Sequence, residues 1–431
     1  MMTQRQLEDV TGEDLARSHL GHAARNKRLV EVGVALAVSP GASLPKAFED
    51  WAGLKGAYRL LSHEAVTHPA ILSGHVQATA ERCQQHPTVL CVQDTTSLIF
   101  AHAVDGDGII NHMKAVHGVI AHTALAVSAS NHEVLGVLSQ QVWARRGKVP
   151  AEETASQRQH RRRESEKWSE GVCQVSEALA ASAEGQRPRV LHVFDKEGDN
   201  FEAMEVMEAL GDGFVIRVNS NRLLETSVHG GLYLQQAVER APVRGHYQLQ
   251  VPRGPGRAQR QARLQVRACT VAVRPPRLRE RKGDALKLNV VLAQEVDPPR
   301  GVKPLHWCLM TREPIATWQQ CLEVIRAYEG RWRVEEFHMG LKTGCALESH
   351  QLKTRPRMEN LLAVCSVIAW GMLALRDAAR QGSPSPASTL LSEVQLALLR
   401  TLRPKLPPHP DTHQALRALA SLGGFIGRKG G

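Results

Sequence analysis

The stretch that decides the fold is YEGRWRVEEFHMGLK, residues 328–342. In a helix that starts near Arg331, four ionisable side chains share one face at helical spacing. These are Arg331, Glu335, His338 and Lys342. Three apolar side chains fall on the opposite face, where they can pack into a core. They are Val334, Phe337 and Leu341. The segment therefore presents one acid among several cations, close to the hydroxyl of Tyr328.

An ordinary solvated helix face has a different composition, because it mixes acids and bases in alternating i,i+4 pairs. The alternative is that Arg331 and Glu335 form one such pair with no further role. The segment by itself leaves both interpretations open.

The charge balance of the chain points to a polyanionic partner. The 431 residues carry a formal net charge of +11, and the pI is about 9.5. Residues 241–282 hold eleven Lys or Arg against one acid, Glu280. A positive charge so concentrated, among alternating strands, favours a surface that faces phosphates. Nucleic acid is the simplest such partner, and a solvated basic loop region is the alternative.

Cysteine usage and hydropathy predict a soluble protein of the cytoplasm. The eight cysteines are scattered, with no C-x-x-C motif and no zinc-like spacing with histidine. We find no signal peptide, and we expect no apolar run to approach the ~18 residues that a membrane span needs. A membrane partner is therefore not expected.

Two apolar, β-branched runs are each followed by an aspartate. Residues 88–93, TVLCVQ, lead to Asp94, and residues 189–194, RVLHVF, lead to Asp195. Both runs are typical of buried strands. An acid at the end of a buried strand is costly unless it is paired, caps a turn or binds a metal ion. A turn or helix-cap aspartate is the structural alternative for each.

The remaining chain divides by its pattern. Residues 1–80 are predicted to be helical, with Ser43 capping a short helix through Trp51 and a turn at residues 53–56 that leads into a second helix. This layout resembles a helix-turn-helix, and a simple helical packing domain is the alternative. Strands are predicted at 118–127 and 134–143, and an antiparallel β insertion within 225–300. Trp307 is expected on a strand, where a core position is the commoner explanation.

The signature segment resembles a known family. Tyr328, Arg331, Glu335 and Lys342, with RWRVEEF and LKTG around them, are similar to the Y-R-E-K signature of bacterial cut-and-paste DDE transposases of the insertion-sequence-four family, to which the transposon-five transposase belongs. The blocks CVQDTTSL and VFDKEGD, and GAYRLLS in the N-terminal region, agree with the resemblance, which covers nearly the whole chain.

The resemblance implies an α/β fold with a ribonuclease-H-like catalytic core that a β insertion interrupts. It divides the chain into a helical DNA-binding domain (1–80), the first part of the core (81–224), the basic insertion (225–300), the second part of the core (301–378) and a short C-terminal helical region (379–431). Relatives continue beyond the LGGF segment, so residues 379–431 are either a truncated dimerisation region or the C-terminal region of an intact variant, and both interpretations stay open.

The resemblance also assigns roles to individual side chains. Asp94, Asp195 and Glu335 are expected to hold two Mg²⁺ or Mn²⁺ ions, since oxygen ligands favour these metals over zinc. Trp307 is expected to stack on a flipped base. The other expected DNA contacts are Tyr328, Arg331, Lys342, Arg217, Arg222 and His338.

The implied reaction is nicking of inverted-repeat ends, hairpin formation by the freed 3′-hydroxyl, hairpin opening and strand transfer. The implied partners are double-stranded end and target DNA and a second copy of the chain in a synaptic homodimer, in the nucleoid-associated cytoplasm of a bacterium. Two alternatives stay open. One is a catalytically weak DNA-binding regulator or domesticated transposase, and the other is a metal-dependent nuclease that does not integrate DNA.

Overall fold

The computed structural model describes most of the chain. The described residues are 4–100, 102, 104–106, 108–111, 116–145, 163–182, 186–227, 233–251, 259–275, 285–381, 386–389, 391 and 393–422. Most of the basic segment at 145–167 and the chain end after 422 lie outside these residues.

Helices form the N-terminal region, cover the sheet and end the described chain. They are α1 (Gln4–Ala16), α2 (Ala23–Val38), α3 (Leu44–Ala47), α4 (Trp51–Leu61), α5 (His68–Gln84), α6 (Lys167–Ala181), α7 (Phe201–Ala209), α8 (Leu234–Arg240), α9 (Trp318–Glu329), α10 (Trp332–Met339), α11 (Arg355–Gln381), α12 (Glu393–Leu402) and α13 (Thr412–Leu422).

The strands join in one large mixed sheet. They are β1 (Thr88–Ile99), β2 (Gly108–Asn111), β3 (Val116–Ser128), β4 (Val134–Trp143), β5 (Arg189–Phe194), β6 (Gly213–Arg217), β7 (Leu224–Ser227), β8 (Val243–Val251), β9 (Arg260–Val273), β10 (Leu286–Val296) and β11 (His306–Thr311). Within the described residues the order is β2-β3-β1-β5-β6-β11-β10-β9-β7, with β4 also paired to β3 and β8 to β9. The protein is thus α/β with a helical N-terminal region.

Strand β1 lies at the centre of this sheet and is covered on both faces. It runs antiparallel to β3 and parallel to β5. Leu90 and Val92 point to the core that contains Phe337 of α10. Val89 and Cys91 point to the other face, where they pack with Val175 and Leu179 of α6. Burial on both faces explains why the sequence of this strand is a continuous apolar run rather than an alternating one.

The β insertion is part of the same sheet and not a separate one. Strands β8, β9 and β10 pair antiparallel with one another, as the alternating pattern predicts. Strand β10 then pairs with β11, which pairs with β6 in the central sheet. The sequence pattern alone did not predict this continuity, because the pairing of β6 with β11 joins segments about ninety residues apart along the chain.

The predicted turn at residues 53–56 is wrong. Helix α4 runs through both glycines, and the break lies before Trp51, where Asp50 caps the helix by accepting a hydrogen bond from the Gly53 N–H at 2.6 Å. Ser43 makes no side-chain cap. Gly56 serves close packing instead, since a Cβ there would lie 2.8 Å from the guanidinium carbon of Arg28 on α2.

Helix α11 is long and apolar enough, by length and composition, to cross a membrane between Arg355 and Asp377. The expectation that no such run exists is corrected at this helix. Buried residues make up 78% of its most apolar window, so its composition is that of a core helix. Its Asn360 donates to the carbonyl oxygens of Leu61 (3.1 Å) and Val66 (2.8 Å), which fixes the N-terminal helices to the core.

His68, the first residue of α5, makes a second buried link between these regions. Its Nε2 donates to Oε1 of Gln140 at 2.9 Å, and Ser366 donates to the same oxygen. Burial lowers the pKa of His68 from 6.5 to about 4, so the imidazole is neutral in the folded protein at pH 7.

We predict that His68 makes the protein sensitive to acid. The unfolded chain protonates this imidazole below pH 6.5, whereas the folded protein does so only near pH 4, so protonation favours unfolding. The free energy of unfolding of the wild type, relative to His68→Gln, should fall by about 3 kcal/mol between pH 7 and pH 4. Denaturant titrations of both proteins across this range measure it. Parallel pH profiles would contradict the assignment.

Candidate functional site

The two strand-associated aspartates lie side by side. The parallel pairing of β1 with β5 aligns Thr88 with Arg189 and ends at Gln93 opposite Phe194. Asp94 is the next residue of β1, and Asp195 is the residue that follows β5, where it caps a short 3-10 helix by accepting a hydrogen bond from the Glu197 N–H at 2.8 Å. Because neighbouring strands lie about 4.8 Å apart, the two aspartates leave adjacent backbone positions at the same level of the sheet.

Strand β1 does not end at Asp94, as the sequence led us to expect. It continues to Ile99, with Asp94 opposite Thr123 and Ile99 opposite Gly118 on β3. Only the parallel partner β5 stops at this level. At Asp94, β1 loses its pairing with β5 and keeps its pairing with β3. One edge of its backbone is therefore open at this level, while β3 still holds the strand in place.

The environment of Asp94 disfavours its negative charge. Burial, together with the charges of Asp195 and Glu335, raises the pKa of Asp94 from 3.8 to about 6, against the Thr95 N–H and Arg331, which lower it. The Thr95 N–H donates to Oδ1 of Asp94 at 2.8 Å. Asp195 and Glu335 therefore lie close enough to Asp94 for their charges to act on it.

The carboxylate of Glu335 forms a salt bridge with Arg331. Nη2 of Arg331 donates to Oε1 of Glu335 at 2.5 Å, so the i,i+4 pair that the sequence left open is formed. Among the described residues, no three His, Cys, Asp or Glu side chains stand together as a ready set of metal ligands. The structure thus brings the acids into one region without arranging all of them around a common point.

His338 lies next to Asp94 and is buried. Its Nδ1 is 3.9 Å from Oδ2 of Asp94. Burial, reinforced by the charge of Lys342, lowers the pKa of His338 to about 3, so the imidazole is neutral at pH 7. Only 10% of its side chain is exposed, which leaves little surface for DNA. A DNA contact by His338 stays a prediction.

Trp307, Tyr328, Arg331 and Arg217 form one cluster beside the acids. The rings of Trp307 and Tyr328 meet edge to face at 5.4 Å, and the guanidinium of Arg331 lies 5.9 Å from the Tyr328 ring centre. Burial raises the pKa of Tyr328, whereas the charges of Arg331 and Arg217 lower it. Arg217 also donates to the carbonyl oxygen of His306 at 3.0 Å. Trp307 is half-buried, so part of its ring is open to a ligand.

Arg222 and Lys342 are placed differently from the other expected DNA contacts. Arg222 pairs with Asp199 at 2.5 Å, with side-chain exposures of 12% and 1%, and Asp199 also accepts from the N–H groups of Asn219 and Ser220. Lys342 lies in a π-helical turn, Gly340–Gly344, that continues α10. The wider turn rotates Lys342 relative to the α-helical spacing from which its face was inferred.

The sequence interpretation missed two groups near Asp94. Lys167, at the start of α6, is 7% exposed, and its Nζ lies over the Trp143 and Trp168 rings at 5.8 and 5.6 Å. His122 on β3 is fully buried beside Thr95. The spacing of residues gave no signal for either one, because both reach the site through pairing and packing of segments far apart in sequence.

One comparison with known proteins bears on function. Residues 8–66 match a protein-family model described as transposase DNA-binding. The matched segment covers most of the N-terminal helical region, from within α1 to beyond α4, and does not include the acids. The match supports a transposase that binds DNA through this region.

A comparison of structures finds a distant likeness. The cryo-EM structure of the piggyBac transposase synaptic complex with hairpin DNA is 11% identical in sequence and aligns with a TM-score of 0.32. The alignment covers 70% of this chain and 51% of that one, so this chain spans about half the length of that protein. A likeness at this level carries no argument about fold or function.

We predict that Arg222 is structural. Arg222→Met leaves the carboxylate of Asp199 buried without its cation, which should lower the free energy of unfolding by about 3 kcal/mol. The matched control is Arg217→Met, in the cluster with Trp307 and Tyr328. It should lower the free energy of unfolding by less, because the main partner of Arg217 is a carbonyl oxygen. Urea denaturation of both variants without DNA measures the difference. Equal stability of Arg222→Met and the wild type would show that the ion pair contributes nothing.

Proposed function

We propose that this chain is a cut-and-paste DNA transposase of the insertion-sequence-four type, acting in the cytoplasm of a bacterium on the ends of its own element. The observation that carries the proposal is the level placement of Asp94 and Asp195 on adjacent parallel strands, with the charge of Glu335 acting on the same site. The transposase DNA-binding match at residues 8–66 supports the class of substrate.

The sheet topology supports a ribonuclease-H-like core. Strands β4, β3 and β1 are antiparallel neighbours, and β1, β5 and β6 are parallel ones. Helices α6 and α7 make the connections that parallel pairing needs. Three antiparallel strands followed by two parallel ones is the arrangement that such a core has. Asp94 lies on β1, the middle strand of these five, and Asp195 directly follows its neighbour β5.

Asp94, Asp195 and Glu335 are the residues that would hold two Mg²⁺ or Mn²⁺ ions. Their donor set is oxygen only. The pKa of Asp94 is raised by burial first, and then by the charges of Asp195 and Glu335, which a bound cation would offset. When bound, such ions would supply a hydroxide nucleophile and stabilise the leaving oxygen of a phosphodiester. Glu335 must first exchange Arg331 for the metal.

Once Glu335 binds a metal ion, the side chain of Arg331 is free to contact DNA in the proposed reaction. Its guanidinium is paired with Glu335 and lies 5.9 Å from the centre of the Tyr328 ring, so once freed it can bind a phosphate at the same place. Arg217 and Lys342 would add positive charge beside it. The half-buried ring of Trp307, held edge to face by Tyr328, would stack on a base turned out of the duplex. These contacts favour a hairpin route over simple hydrolysis, and the proposal includes a synaptic homodimer as the acting form.

A specific observation favours a second candidate function. Glu335 is bound to Arg331, and no ready set of three metal ligands stands among the described residues. A chain fixed in that state would bind element ends without cutting them and would act as a DNA-binding regulator. The two functions differ in whether end DNA is cleaved.

We predict that the wild type binds and, with Mg²⁺, cuts DNA that carries the inverted repeats flanking its gene. Asp94→Ala should retain end binding in a gel-shift assay and lose cleavage by at least about a hundredfold, since metal and water activation depend on it. Gel analysis of the products should show hairpins and joined strands.

The matched control is Glu323→Ala, which removes an exposed acid from helix α9. This variant should cut like the wild type. Cleavage by Asp94→Ala at the wild-type rate would refute the assignment of the acids. End binding without any cutting by the wild type would leave the regulator as the function.

We predict that Trp307 acts in hairpin formation and not in the first nick. Trp307→Ala should slow hairpin formation by about five- to a hundredfold, the effect of losing one stacking contact of about 1 to 3 kcal/mol, while nicking continues. Trp307→Phe keeps an aromatic face and should recover part of the rate. Separate quantitation of nicked and hairpin products measures this. Equal slowing of both steps would assign Trp307 to packing.

A further inference from the structure

A buried hydrogen-bonded chain lies behind Asp94, on the opposite face of the sheet. Oγ1 of Thr95 is 2.9 Å from Nδ1 of His122, and Nε2 of His122 is 3.0 Å from Oε1 of Gln93. Gln93 and His122 are fully buried. Thr95 and His122 are direct partners across the β1–β3 pair, so backbone pairing and side-chain bonding fix the same two residues.

The direction of these bonds follows from what each atom can do. The Oε1 of Gln93 only accepts, so Nε2 of His122 carries the hydrogen and donates it. The other ring nitrogen, Nδ1, then has a lone pair and accepts from the Thr95 hydroxyl. Both nitrogens of His122 are thereby satisfied, and the Thr95 hydroxyl is held in one orientation.

Helix α6 packs over these hydrogen-bonded side chains. The Trp168 ring meets the His122 ring edge to face, with centres 4.6 Å apart. Gly171 lies directly against Gln93, because a Cβ there would be 2.5 Å from Oε1. The imidazole is therefore confined by the sheet below and the helix above. The close approach at position 171 is one that glycine permits and a larger residue would not.

The side-chain hydrogen bonds end at the Thr95 hydroxyl, and the backbone of the same residue contacts Asp94. The N–H of Thr95 donates to Oδ1 of Asp94 at 2.8 Å, so the orientation of that carboxylate depends on the backbone of Thr95. We infer that His122 and Thr95 are positioning residues, which hold Asp94 in the orientation needed to bind a divalent cation. This inference rests on the function proposed above, since it names the support of the same site.

Substitution of Thr95 tests the inference. Thr95→Val keeps the shape and removes the hydroxyl, and it should raise the Mg²⁺ concentration for half-maximal end cleavage about tenfold, as loss of such supporting contacts does elsewhere. The Mn²⁺ concentration that gives half the maximal rise in Tm, measured without DNA, should increase by the same factor. End affinity without metal should stay unchanged. Thr95→Ser retains the hydroxyl and should recover the wild-type values.

The matched control is Thr270→Val. Thr270 on β9 also donates from a strand to a neighbouring side chain, Oδ1 of Asn289, at 2.7 Å. It lies five strands from β1, about 24 Å away. Its variant should lose stability without any change in either metal midpoint. If Thr95→Val does not fold, Thr95→Ala replaces it, with the same expected metal midpoints.

The outcomes separate the inference from the proposed function. Wild-type cutting that Asp94→Ala abolishes, together with unchanged metal midpoints in folded Thr95→Val, would overturn the inference alone. A wild type that neither cuts nor gains stability from Mn²⁺ would overturn the proposed function, and the inference with it. Metal midpoints shifted in Thr95→Val and restored in Thr95→Ser support both.

Discussion

The parallel pairing of β1 with β5 is the constraint on which the rest of the structure depends. It sets Asp94 and Asp195 at one level, and it buries β1 between two helical layers. The layer that contains α10 places Arg331, Glu335 and His338 on the face of β1 that bears Asp94. The other layer, α6, covers the opposite face. A slip of one residue in this register would turn Asp94 into the wrong layer, because strand side chains alternate between faces.

Burial and like charge act together at this site. The pKa of Asp94 rises to about 6 because the carboxylate is desolvated and faces two other acids. Arg331 balances part of that charge through Glu335. The neutral His338 adds no charge there and fills space between Asp94 and the core.

Local pattern predicted much of the fold. The runs at 88–93 and 189–194 are strands, and Val334, Phe337 and Leu341 are buried, because burial on both faces or on one helical stripe leaves a direct mark on the sequence. The wrong prediction of a turn at residues 53–56 has a physical cause. Gly56 was interpreted as part of a turn, although it lies within α4 against the guanidinium of Arg28 on α2, and that packing partner cannot be identified from the neighbouring residues.

The sequence by itself determined the identity and the local setting of the three proposed metal ligands. Asp94 and Asp195 follow apolar strands, and Glu335 lies on the polar side of an amphipathic helix, so their types and local settings are encoded by neighbours in the chain. Only the tertiary structure decided the long-range contacts around them. Arg222 is paired with Asp199, and the Thr95 hydroxyl is hydrogen-bonded to His122, through contacts between segments separated by more than twenty residues. Such contacts depend on register and packing, which local sequence does not specify.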